Sequence, residues 1–240
     1  MTSTSLQSDQ SELSPIDAGS AASVEAAIRT RRSTRAFVSN PVEKELLKKI
    51  LIMANQAPSG SNIQPWRVYV LAGKTLKRVG ATIKEAFLTS EPGHKRDYAY
   101  YTEALFEPYL GRRRACGWGM YNALGIETDK IKQQRAQNYE FFGAPVGLIF
   151  TIERRLERGS WIDCGMFMQN IMLLARHFGL HTCPQASLGE FPDIVRAELG
   201  IPQEQIILGG MSLGYADPDA IVNRFQPLRD PLSSFVTYWD

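Results

Sequence analysis

Ala144-Pro145-Val146-Gly147-Leu148-Ile149-Phe150-Thr151-Ile152 is an almost unbroken apolar run, rich in β-branched and aromatic residues. A run of that length reads as a buried strand. Further along, Trp161 to Phe178 is apolar nearly all round, the pattern of a central helix, and Gly179 is its natural stop. A buried strand followed by a buried helix predicts a single α+β domain. Upstream, Arg67-Val68-Tyr69-Val70-Leu71 has strand character and closes at Gly73, and Lys74 to Leu88 reads as a helix. Pro41 opens another helix, with Val42, Leu46, Leu47, Ile50, Leu51 and Ala54 on one face. Ser23 to Ile28 is a short helix leading into a cluster of arginines. Downstream come a helix from Pro192 to Leu199, a strand from Gln205 to Gly210, and an aromatic tail, Phe235-Val236-Thr237-Tyr238-Trp239.

The chain has 240 residues, 44% hydrophobic and 22% charged, enough for a core of ordinary size without a metal or disulfide staple. Lys and Arg total 27 against 25 for Asp and Glu, a net charge of +2, which argues against a nucleic-acid partner. Cys116, Cys164 and Cys183 are odd in number and widely spaced. They read as reduced thiols in a cytoplasmic protein, small buried hydrophobes rather than nucleophiles. No apolar run approaches the ~20 residues that span a bilayer, and the polar N-terminus lacks the pattern of a secretory signal, so no membrane partner is expected. His94, His177 and His181 show no metal-ligand spacing, and no metal is expected. Residues 1–20 read as a Ser-rich disordered tail and residues 21–240 as one domain without repeat or linker. Trp161, Met166, Met168 and Met172 read as helical core. The least regular stretch is Glu91 to Lys130, which holds many aromatics and the run Arg112-Arg113-Arg114. That run is either a solvated helix face or a site for an acidic substrate or a nicotinamide dinucleotide phosphate.

Two segments carry chemistry. The first is Arg29 to Arg35, with Arg31, Arg32 and Arg35 around Ser33 and Thr34. Guanidinium forks match phosphate oxygens bidentately and hydroxyls add donors, although a solvated basic turn has the same composition. The second is Pro58-Ser59-Gly60-Ser61-Asn62-Ile63-Gln64-Pro65-Trp66. Its small residues permit close backbone approach to a ligand, while Ser59, Asn62 and Gln64 supply groups that read a polar ring edge. A helix-to-strand loop with a packed tryptophan would look the same.

Taken together, and in this order, the two segments resemble the nitroreductase family of FMN-dependent enzymes. The resemblance continues through Asn138 to Val146, Gly179-Leu180 with Cys183-Pro184-Gln185, Leu213-Gly214-Tyr215, Asn223-Arg224-Phe225 and Arg229, and so covers roughly Val24 to Tyr238. It implies a three-layer α-β-α fold around a mostly antiparallel sheet, assembled as an intertwined homodimer with FMN at the subunit interface. Arg31, Arg32 and Ser33 match positions that hold the FMN phosphate and ribityl chain, and Arg229 matches the basic residue completing the phosphate site. Arg35 matches a cation beside flavin N1 and O2, where positive charge favours the reduced, anionic ring. Pro58, Ser59, Gly60, Asn62 and Gln64 lie in the loop that reaches the flavin from the partner subunit. Pro184, Gln185, Ala186 and Ser187 match the segment along the flavin face, with backbone N–H groups directed at N5 and O4. Asp163 falls near a polar position beside the ring.

Two departures from the pattern stand out. Some relatives carry an acidic residue and a glycine where this chain has Gln185-Ala186-Ser187, so side-chain roles do not transfer there. A basic residue common two positions before Arg229 is here Pro227. The implied activity is hydride transfer from NAD(P)H through FMN to nitroaromatic, quinone or similar electron-poor acceptors by ping-pong kinetics. No catalytic side chain is required, Glu91 to Lys130 forms the lid, and the aromatic tail packs across the partner. Another FMN reaction on the same fold (flavin cleavage, dehalogenation, azoline oxidation) and a non-catalytic flavin-binding protein remain alternatives.

Overall fold

The structure is a computed structural model that describes residues 15–17 and 19–239. Its helices are α1 (Val24–Thr30), α2 (Lys44–Ala54), α3 (Gly73–Thr89), α4 (Tyr109–Ala123), α5 (Ile131–Ala136), α6 (Arg158–His177) and α7 (Pro192–Leu199). Strands β1 (Trp66–Ala72), β2 (Val146–Glu153), β3 (His181–Gln185) and β4 (Gln205–Gly214) form one antiparallel sheet in the order β1-β2-β4-β3.

The apolar run that predicts a buried strand is β2, between β1 and β4 in that sheet. Successive strand residues point to opposite faces, and both faces are covered. Ile149 packs with Leu76, Val79 and Ile83 of α3 and Val195 of α7. Its neighbours Leu148 and Phe150 pack with Leu47 and Ile50 of α2 and Phe167 and Ile171 of α6. The result is the expected three-layer α-β-α architecture. Each such fully buried side chain contributes about 1.5–3 kcal/mol, so the two clusters fix the helices on the sheet. Met166, Met168 and Met172 lie against the second cluster and Trp161 against a smaller one around Cys164, as a core reading requires.

One irregularity in the sheet bears on the site. The β2–β4 register shifts between Phe150 and Thr151, opposite Gly209. Gly209 has φ +148°, and a Cβ there would lie 2.9 Å from the Gln185 carbonyl oxygen and 3.4 Å from Ala186 Cα. A Cβ on Gly210 would meet Leu188 Cδ1 at 2.3 Å. These two glycines let the chain that follows β3 lie flat on β4.

Several expectations shift. Helix α2 starts at Lys44 rather than Pro41, because Glu43 (φ −59°, ψ 133°) keeps the backbone extended until then. Strand β4 continues past Gly210 to Gly214, and β3 is an element the sequence does not announce. The irregular stretch contains a regular helix, α4, which buries none of its residues and therefore has no apolar stripe to reveal it. The loop before β1 closes with a 3-10 turn, Gly60–Asn62. The tail expected through residue 20 packs on the domain at its end: Ile16 is buried, and the Asp17 carbonyl accepts from Arg176 Nη2 at 3.1 Å. His181 Nε2 lies 2.9 Å from the same oxygen. The remainder of that expectation, residues 1–14 and 18, lies outside the described residues. Cys164 and Cys183 are free and buried, and Cys116 is free and partly exposed.

Candidate functional site

Helix α1 is capped by the Ser23 hydroxyl, which accepts from the Ala26 N–H at 3.1 Å, and it ends where Arg31 turns extended (φ −64°, ψ 122°). From there the arginine segment runs as an added strip along β3. Ser33 bridges Thr182 in parallel, and the Thr34 N–H donates to the Thr182 carbonyl at 3.0 Å. Alternation then separates the side chains. Thr34 points inward and is buried, while Arg31, Ser33 and Arg35 share the other side, around Cys183. Burial pushes the Cys183 thiol up; the Arg35 charge, a hydrogen bond from the Ser33 hydroxyl and the Arg31 charge oppose it. The Arg35 N–H is held by Asn223 Oδ1 at 2.8 Å, and the Asn223 amide donates to Ala36 and Asp217 carbonyls at 2.8 Å each. Asn223 thereby fastens the segment to the far end of the chain.

Arg229 comes from that far end. Burial, then the positive charge of Arg229, hold the Arg31 guanidinium below its ordinary range. Two like charges drawn together around a half-buried position form a place suited to a dianion such as phosphate. Arg32 differs: burial lowers it, and the Asp17 carboxylate offsets part of that, so it sits toward the N-terminal segment.

The segment from Pro184 to Ser187 follows β3 directly and lies on Gly209 and Gly210. Gln185 is buried with its side chain committed. Its amide donates to the Asn138 carbonyl at 2.6 Å, and its Oε1 accepts from Ser212 Oγ at 2.6 Å. Ser187 Oγ is 3.3 Å from Asn138 Oδ1. The side chains of this segment thus brace the fold, and its backbone is what it offers a ligand.

The loop from Pro58 to Gln64 is attached elsewhere, to α6. The Gly60 N–H donates to Asp163 Oδ2 at 3.2 Å, and the Gln64 N–H donates to Ser59 Oγ at 3.0 Å. Ser61, Asn62 and Gln64 all have positive φ (48°, 57° and 47°), a conformation non-glycine residues adopt at a cost of roughly 1–3 kcal/mol each. Trp66 anchors the loop's far end by stacking on Phe167, centroids 4.9 Å apart. Asp163, for which a place beside the ligand ring is expected, holds the loop through this bond. In the irregular stretch, Arg112 pairs with Asp230 and Arg113 lies over the Tyr101 ring at 4.8 Å. Arg113 and Arg114 line a cavity of about 280 Å³ with Trp118 and Tyr121.

The model of the nitroreductase family matches residues 28–215, a span that includes the whole sheet and the arginine strip. The chain belongs to the nitroreductase family. It is 42% identical over 214 residues to a chloronitrobenzene nitroreductase from Comamonas testosteroni, covering 88% of this chain and 94% of the relative. It is 40% identical over 214 residues to a nitrobenzene nitroreductase from Ectopseudomonas oleovorans, with the same coverages. Among solved structures it is similar to the FMN and NADPH-dependent nitroreductase NfnB from Sphigopyxis sp. strain HMH, with 36% identity and a TM-score of 0.88. That match covers 91% of this chain and 99% of the other.

For a nitroreductase, the single chain brings together Arg31, Ser33, Arg35, Arg229 and the 184–187 backbone, and it leaves the 58–64 loop on α6. Asn223 and Cys183 were not singled out by sequence as site residues. Asn223 lies within a stretch that carries the family resemblance, and that stretch was the available signal. No described helix is long and apolar enough to cross a membrane.

Proposed function

We propose that this nitroreductase carries FMN along its arginine strip and reduces small nitroaromatic or quinone acceptors with NAD(P)H in the cytoplasm. The observation that carries the reading is the strip that Ser33 and Thr34 form along β3, with Arg31, Ser33 and Arg35 around Cys183 and the charge of Arg229 acting on Arg31. Arg31, Ser33 and Arg229 hold the phosphate. Arg32 takes a lesser share, since Asp17 competes for it. Arg35 would supply positive charge at the ring's pyrimidine end, and the backbone of Pro184, Gln185, Ala186 and Ser187 would meet its edge.

When bound, FMN supplies hydride acceptance and donation. The protein's part is to bind it, hold positive charge where the reduced ring is negative, and leave one face open to donor and acceptor in turn. The names of the relatives point to nitrobenzene-type acceptors.

The second half of the site comes from a second copy of the chain. Ile52 and Met53 at the end of α2, Ile63 in the 58–64 loop and Ile162 beside Asp163 are large and exposed, which suits a subunit interface. Phe235, Tyr238 and Trp239 are exposed as well, which suits a tail that packs across the partner. The loop's left-handed Ser61, Asn62 and Gln64 then present their groups to the partner's flavin.

The reading is tested by anaerobic stopped-flow mixing of the purified protein with NADH and NADPH, followed at the flavin absorbance. Bleaching by at least one nucleotide, and recovery of the colour on adding nitrobenzene, is expected. A yellow protein that neither nucleotide bleaches would sink it.

A further inference from the structure

The segment along the flavin face is held by a polar network that the cofactor reading does not use. Arg96, in the stretch before α4, donates from Nη1 to the Ala186 carbonyl at 3.0 Å and forms an ion pair through Nη2 with Glu190. The other Glu190 oxygen accepts from Tyr139 Oη at 2.6 Å. Tyr139 is buried, its ring 4.9 Å from Phe87 and 5.3 Å from Phe191. Glu190 is therefore fixed by core packing and in turn fixes Arg96.

The residues after Arg96 are riveted too. The Asp97 carboxylate accepts from the Ile207 N–H at 2.9 Å, from Arg154 at 2.9 Å and from Arg196 at 2.5 Å. Tyr98 Oη donates to the Leu208 carbonyl at 2.6 Å. Both anchors lie just before Gly209, the residue that admits Gln185 and Ala186 onto the sheet. These anchors fix the backbone beside Arg96, whose guanidinium is shared between the Glu190 carboxylate and the Ala186 carbonyl.

We propose that Arg96 is a positioning residue that tunes the flavin through the Ala186–Ser187 peptide. The inference rests on the reading of residues 184–187 as the flavin-face segment. A carbonyl that accepts from a guanidinium draws electron density from its own amide nitrogen. The N–H of that same peptide, which belongs to Ser187, becomes a stronger donor, since hydrogen bonds in a chain polarise one another. The Gln185 and Ser187 side chains are engaged with Asn138 and Ser212, and Ala186 has no polar side chain, so backbone N–H groups carry the ring-edge contact. A ring that gains negative charge on reduction gains more from a strengthened donor than the oxidised ring does. Arg96 thus ties the first residues of the lid to the redox balance of the site.

The test uses the full-length, FMN-loaded protein and measures the two-electron midpoint potential by spectroelectrochemistry, beside the dissociation constant for oxidised FMN. Wild type serves as the control: if it binds no FMN, the cofactor reading has failed, independently of Arg96. Arg96→Ala is expected to retain FMN while its preference for reduced over oxidised cofactor falls about tenfold, a shift of about 30 mV to more negative potential. Arg96→Lys, which keeps the charge and one donor, recovers part of that shift. Should Arg96→Ala fail to fold, Arg96→Gln takes its place with the same direction expected. A purely structural brace would weaken both forms equally. A wild-type potential in Arg96→Ala or its Gln substitute overturns the proposal, even if FMN affinity or melting temperature falls.

Discussion

Replacing Arg31 by alanine separates a residue built for a ligand from one built for the fold. In the ligand-free chain Arg31 is costly: its guanidinium is half buried and faces the like charge of Arg229, and both effects disfavour the charged form. Removing it relieves that repulsion, so the ligand-free protein should unfold at the same temperature or a slightly higher one, within the roughly 0.5 kcal/mol typical of surface changes. With FMN the sign reverses. Hydrogen bonds to charged groups contribute about 1.5–3 kcal/mol, so losing Arg31 should weaken FMN binding about 10- to 150-fold. Riboflavin, which has no phosphate, should bind the variant as it binds wild type. Arg35→Gln should show the opposite pattern, keeping FMN but making the bound cofactor harder to reduce. The assay is calorimetric titration of ligand-free protein with FMN and riboflavin, beside thermal unfolding without ligand. The reasoning is refuted if Arg31→Ala lowers ligand-free stability by several degrees while FMN affinity holds, or if riboflavin binding drops as far as FMN binding.

Gly209→Ala should cost about 2 kcal/mol or more in urea unfolding and weaken FMN binding, because the new Cβ strikes the Gln185 backbone at a positive φ; a variant as stable as wild type would show that the 185–186 segment is free to move. His181, 1% exposed, is pushed down to about 4 by burial and then by Arg176, below its ordinary 6.5. Between those values the unfolded chain binds a proton that the folded chain refuses, so this contribution is intact above pH 6.5 and lost as pH falls toward 4. The full loss is about 3 kcal/mol. Urea unfolding at pH 7.5 and pH 4 should show wild type losing about that much more than His181→Gln; equal losses would contradict it.

Sequence reading succeeded where a residue's neighbours in the chain determine its environment. The centre of β2 was legible because both of its faces are apolar, and α3 and α7 because each presents a single apolar stripe. Strand β3 was hidden because it is short and holds Pro184, which an edge strand tolerates and a central strand does not. Helix α4 was hidden because nothing in it is buried within the chain. The same division runs through the site. The arginine segment is legible as a basic cluster, and only the family resemblance gives its members separate roles. Asn223 acts on Arg35 across 188 positions, and Arg96 acts on Ala186 across 90, so neither spacing has a local signature. Gln185 and Asp163 are expected near a ligand, and within the chain Gln185 braces Asn138 and Ser212 while Asp163 holds the Gly60 loop. Which partner a polar side chain takes is decided by packing of distant elements, and composition does not encode it.

The central claim is that two copies of the chain make one flavin site, with the arginine strip from one and the 58–64 loop from the other. Sedimentation velocity of the FMN-loaded protein, recorded at protein and flavin wavelengths, tests it most directly. All flavin absorbance should travel with the dimer, and a chain ended after Arg229 should sediment as a colourless monomer. Flavin moving with a monomer, in either protein, would contradict the account.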